Sequence, residues 1–100
     1  MSVTVQVLYW RDIPAQVKLR AGRERLARPL SARFQEAIDL AAMRAGAAAA
    51  DDYLDAWRTE ERPPRPGPLE ALAQELADEL EAAYPATRLQ ALAANGGQEP

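Results

Sequence analysis

A short alternation near the N-terminus sets the strongest limit on the fold. Val3, Val5, Val7 and Tyr9 alternate with Ser2, Thr4, Gln6 and Leu8. A two-residue period rich in β-branched side chains specifies a strand with one buried face. Val17, Leu19 and Ala21 alternate with Gln16, Lys18 and Arg20 and give a second strand. Between them, Arg11-Asp12-Ile13-Pro14 reads as a hairpin loop of about four residues. Asp12 is suited to bond its own backbone, and Pro14 fixes φ while holding Ile13 extended. Gly22 permits positive φ and marks the next turn. Leu26 and Leu30 sit among charges after it, where a third, weak strand would complete an antiparallel meander. A two-stranded hairpin alone is marginal, so a third strand or a helix must cover it. Leu8 and Trp10 fall on the otherwise polar face, so that face is expected to be covered near its end.

The rest of the chain reads as helical. Ser31 is a good N-cap, Phe34, Ile38, Ala41 and Ala45 recur at helical spacing, and Gly46 supplies the stop. The first helix is therefore expected over residues 32–45. The alanine run at residues 47–50 fits either neighbour. Asp51 or Asp52 caps a second helix carrying Tyr53, Leu54 and Trp57 and ending near Glu60. Residues 61–68, ERPPRPGP, read as a stiff Pro-rich connector on the surface. Pro68 suits the first turn of a third helix, whose apolar seam is Leu69, Leu72, Ala73, Leu76, Leu80 and Ala83. Residues 86–95 offer one more short helix, and residues 95–100 are expected to be a disordered tail. The expectation is one α+β domain over residues 1–94: a two- or three-stranded antiparallel sheet with three helices on one face.

Composition excludes more than it suggests. At 100 residues the chain has room for a single domain. It contains no Cys, which rules out disulfides and thiolate chemistry, and no His, which removes the commonest general base and metal ligand. No secretory leader is legible at the N-terminus and no apolar run is long enough to span a bilayer, so a cytoplasmic location is expected. The acidic groups Asp51/Asp52/Asp55 and Asp78/Glu79 lack the spacing and Gly turn of a calcium loop and read as solvated helix faces. No phosphate-loop or dinucleotide motif is present. No metal or cofactor is expected, and the chain reads as not an enzyme.

Charge is unevenly spread along the chain. The formal net charge is −3, yet residues 1–50 carry eight Lys/Arg and four Asp/Glu, and residues 51–100 four Arg and eleven acids. Basic strands and acidic helices would neutralise one another in the fold. Alternatively, the run Arg20, Arg23, Arg25, Arg28 and Arg33 meets a phosphate-bearing ligand or an acidic partner. The overall acidity argues against nucleic acid. Trp10-Arg11-Asp12 beside a loop proline has the composition of an interaction hot spot. Equally, Trp10 can lie over the sheet's second face while Arg11 and Asp12 pair locally.

The run VTVQVLYWRDIPAQV, followed by FQEAIDLAAMRAG and DDYLDAWR, resembles the small bacterial family of virulence factor domain proteins of alphaproteobacteria and actinobacteria. The similarity covers roughly residues 3 to 90. The resemblance implies a helper of folate-linked one-carbon and methionine metabolism, because members tend to be encoded beside methylenetetrahydrofolate reductase and cobalamin-dependent methyltransferase components. It brings no catalytic residue. Its motif points to Tyr9, Trp10, Arg11, Asp12, Ile13, Pro14 and Gln16. The resulting expectation is a non-enzymatic accessory protein that engages a one-carbon or methionine enzyme through this loop and the adjacent basic strands. The alternative is a small-ligand module for an anionic metabolite or folate, using Arg11, Arg20 and Trp10. No membrane partner is expected, and the sequence leaves the oligomeric state open.

Overall fold

In the computed structural model, which describes residues 2–47 and 49–100, the alternating segment forms strand β1 (Ser2–Trp10). It pairs antiparallel with β2 (Ile13–Ala21), which pairs with β3 (Glu24–Pro29). A fourth strand, β4 (Trp57–Pro66), lies antiparallel to the other side of β1, so the sheet order is β3-β2-β1-β4. The hairpin turn is tighter than the four-residue loop expected. Trp10 pairs with Ile13, and only Arg11 and Asp12 turn the corner. Arg11 takes φ 54°, the left-handed conformation such a turn needs. Pro14 sits within β2, where the register slips between Leu8 and Tyr9. A proline is tolerated there because a bulge interrupts the ladder. The carbonyl freed at Ala15 accepts the Leu30 N–H at 2.9 Å.

The strand β4 corrects the reading of residues 51–68. Helix α2 is one short segment, Ala50–Asp55, and Trp57 opens a strand where a helix was expected to continue. The supposed connector is an edge strand. Proline cannot donate to a ladder, so it is confined to edges, where it also blocks pairing with another chain. Pro63, Pro64 and Pro66 therefore fit this position and hide its strand character from a periodicity reading. Of the alanine run, Ala50 belongs to α2, while Ala48, like Met1, lies outside the described residues.

The remaining helices are α1 (Ala32–Arg44), α3 (Leu69–Ala83) and α4 (Ala86–Ala94). Helix α3 packs on β2 and β3, and α1 packs on β2 and α4. Val3, Val5, Val7, Val17 and Leu19 point into this layer and meet Phe34, Ile38, Leu72, Leu76 and Leu92, all buried. Among the described residues, four strands and four helices thus replace the two or three strands and three helices expected, within the same α+β class. No helix among the described residues is long and apolar enough to cross a membrane.

The C-terminal residues fold back instead of forming the disordered tail expected from residue 95. Gly96 and Gly97 take φ 69° and 89° and reverse the chain after α4. The Gly97 carbonyl accepts the Asp12 N–H at 2.8 Å, and the Glu99 N–H donates to the Asp12 carboxylate at 2.8 Å. A terminus stays ordered when its backbone is tied down in this way.

Candidate functional site

The motif residues form a junction, and most of them are not surface. Trp10 and Ile13 are fully buried, Pro14 nearly so, and Tyr9 is 4% exposed. The Trp10 indole donates to the Tyr53 carbonyl at 2.9 Å, joining the sheet to α2. Gly97 lies so close to its ring that a Cβ there would stand 2.9 Å from Cζ3. The Arg11 guanidinium donates to the Gly96 carbonyl at 2.8 Å and lies beside the Trp10 ring, 5.1 Å from its centroid. The Arg11 backbone N–H donates to Ala56 at 3.0 Å. Asp12 accepts from Arg58 at 3.3 Å, and Arg58 lies over the Tyr9 ring at 4.5 Å. Arg62 donates to the Tyr9 hydroxyl. Burial and the neighbouring Tyr9 push the Tyr84 hydroxyl up to about 12, so it stays protonated near neutral pH and offers no base.

These contacts correct the view of residues 10–16 as an exposed hot spot. The tight turn brings β1, β2, α2, the start of β4 and the C-terminal reversal to one point. The motif's large side chains are spent on holding them together. Of residues 10–16, only Arg11, Asp12, Ala15 and Gln16 keep partial exposure. The pairing of Arg11 and Trp10 with Arg20 in one ligand site is also excluded. Arg20 lies seven residues beyond Ile13 on β2, roughly 23 Å along a strand rising about 3.3 Å per residue.

The far end of the sheet has a different character. Thr4, Gln6 and Leu8 of β1, Gln16, Lys18 and Arg20 of β2, and Arg25 and Ala27 of β3 share the face opposite the helices. Here a hollow of about 430 Å³ is lined by Thr4, Gln6, Lys18, Arg20, Arg25 and Ala27, with Glu61 of β4 at its side. Thr4 faces Arg20, Arg20 faces Arg25, and Lys18 faces Ala27 across the ladders. Cross-strand neighbours have Cβ atoms about 4.5–5.5 Å apart, and like charges so placed destabilise a sheet. Arg20 and Arg25 are such a pair.

Elsewhere the expected neutralisation by acidic helices does occur, for Arg28 and Arg65 on strands and for Arg33 on α1. Arg28 pairs with Glu70 at 3.0 Å, Arg33 with Glu81 at 2.9 Å, and Arg65 with Glu79 and Glu75 at 2.6 and 3.1 Å. On the open face it does not. Among the described residues, no ion pair reaches Lys18, Arg20, Arg23 or Arg25. Glu61 shares the face, but its carboxylate accepts a hydrogen bond from the Gln6 side-chain amide and is held on the β1–β4 side. The arrangement is a set of three cations, Arg20 and Arg25 exposed and Lys18 half-buried, beside the small side chains of Thr4 and Ala27. It can hold an anion through guanidinium forks and neutral donors. Sequence reading flagged Arg20 and Arg25 within a longer basic run. Separating them from Arg28 and Arg33 requires the register of β3 and the position of α3. Among the described residues, no group of Cys, Asp or Glu is placed to hold a metal ion.

Compared with known proteins, the chain matches the family model described as virulence factor over residues 8–93. No curated protein and no solved structure matches it. The matched span begins at the end of β1, contains the hairpin turn, α2 and β4, and closes within α4, short of the C-terminal reversal that completes the junction. The chain belongs to the virulence factor family.

Proposed function

We propose that the protein is a non-enzymatic interaction protein whose open sheet face holds an anionic group of its partner. The observation that carries this reading is the Arg20–Arg25 cross-strand pair, with Lys18 beside it and, among the described residues, no ion pair to any of the three, Glu61 at the side of the hollow being bonded to Gln6. A fold under selection for stability alone gains from an acid at one of these positions. Keeping cations opposite one another makes sense where an outside anion completes the charge balance. The absence of His and Cys from the chain favours binding over catalysis, since the usual proton carriers and nucleophiles are lacking.

The family resemblance directs the search for a partner to folate-linked one-carbon and methionine enzymes, in the cytoplasm where those enzymes work. The open face replaces the motif loop as the docking surface in this proposal. Surface-immobilised protein is titrated with purified candidate enzymes at several salt concentrations. Binding is expected to weaken as salt rises, and Arg20→Glu with Arg25→Glu should weaken it by tenfold or more, on the order of 1.4 kcal/mol. Full binding by the doubly reversed variant would remove the open face from the interaction.

A further inference from the structure

The shape and donor set of the open face point beyond a general attraction for acids. We propose that the hollow bounded by Lys18, Arg20 and Arg25 is a site for the phosphate group of a small phosphomonoester. This inference rests on the reading of the open face as the working surface. Three features select the ligand class. First, the cations adjoin one another on one face of the sheet. Arg20 and Arg25 are direct cross-strand partners and Lys18 is the next outward residue along β2. A phosphomonoester concentrates nearly two negative charges and three acceptor oxygens on one centre, which suits adjoining donors. Guanidinium groups bind it bidentately while a lysine adds a point charge. Second, the surface is concave. Ala27, opposite Lys18, leaves the floor low, and about 430 Å³ lies in the range of small-molecule sites. Third, the lining contains Thr4 and Gln6 as neutral hydrogen-bonding groups and Glu61 at its side, bonded to the Gln6 amide, but no aromatic ring. Single-stranded nucleic acids are usually held by stacking bases on aromatic side chains, so this face does not suit them.

The test is a titration of the full, isotope-labelled chain with glycerol 2-phosphate, followed by amide NMR shifts at constant ionic strength. Parallel titrations use sodium chloride and a glutamate-rich peptide. The expected result is a saturable shift centred on Thr4, Lys18, Arg20, Arg25 and Ala27. It should be about tenfold or more weaker in Arg20→Gln and in Arg25→Gln. Binding should also weaken several-fold as pH falls below about 6, where the ester loses its second charge while the arginines keep theirs. Shifts that do not saturate, that chloride reproduces, or that survive in both variants would overturn the proposal. If the peptide titrates these amides and the phosphate ester does not, the phosphate assignment falls while the open face stands as an anion surface. If neither ligand moves them and the charge-reversed variant binds its partner normally, both readings fall.

Discussion

Gly97 shows how single positions hold this small fold. Its φ of 89° is a conformation that side-chain-bearing residues rarely adopt, and its missing Cβ makes room for the Trp10 ring. Trp10 cannot move aside, because it is fully buried and its indole is bonded to Tyr53. Gly46 offers a control. Its φ of 68° is also left-handed, but nothing lies within 4 Å of an added Cβ. Gly46→Ala is expected to cost about 1 kcal/mol from backbone strain alone. Gly97→Ala adds a clash in a packed site and should cost roughly 2–4 kcal/mol. In a domain of this size 1 kcal/mol moves Tm by about 4–8 °C, so thermal unfolding resolves the two variants readily. Equal effects would show that Gly97 does not seat the tryptophan.

At the level of elements, the joint between α1 and α3 depends on Glu81. Ser31 occupies the N-cap position of α1, but its hydroxyl does not cap the helix. The hydroxyl and the Ser31 N–H both donate to the Glu81 carboxylate at 2.8 Å, and Arg33 adds a third bond at 2.9 Å. Burial works to raise this carboxyl, but the bonds from Ser31 and Arg33 outweigh it and leave it below the usual carboxylate range. A group depressed in the folded state stabilises the fold above its unfolded pKa, and that contribution disappears as pH falls through the folded value. Urea unfolding of the native chain should therefore show stability falling as pH drops below the ordinary glutamate range. Glu81→Gln should be less stable by about 1 kcal/mol at pH 7, a figure reduced for partial exposure, and should lose less on acidification. An unchanged pH slope in the variant would assign the acid sensitivity elsewhere. The elements differed in how far the sequence revealed them. Strands β1 and β2 and helices α1 and α3 stand out because each buries one regular face. Strand β4 does not, because an edge strand with Pro63, Pro64 and Pro66 has no alternating buried side chains to display. The C-terminal reversal is equally silent, since it depends on backbone bonds to Asp12 and on the absence of a side chain at residue 97. The proposed working face was legible only as a basic run. Whether Arg20 and Arg25 meet each other or an acid is decided by strand register.

Over the whole molecule, the charge asymmetry of the sequence resolves into two layers. The helical layer carries most of the acids and satisfies Arg28, Arg33 and Arg65. Among the described residues, no ion pair reaches Lys18, Arg20 or Arg25 on the opposite side of the sheet, and no helix packs over them. The radius of gyration, 14.1 Å, is slightly larger than the roughly 13 Å of a typical 100-residue domain, consistent with a sheet layered on one side only. The motif at one end of the sheet and the cations at the other thus differ in kind: the first ties the fold's elements together, and the second is the face that the proposed function gives to a partner. That division is measurable without knowing the ligand. Thermal unfolding of Arg25→Gln at low ionic strength should show a Tm equal to or above that of the native chain. Relief of the cross-strand repulsion is worth about 0.2–1 kcal/mol, and the gain should shrink as salt screens it. A Tm several degrees below the native value would mean that the paired arginines are part of what holds the fold together, contradicting their assignment to binding.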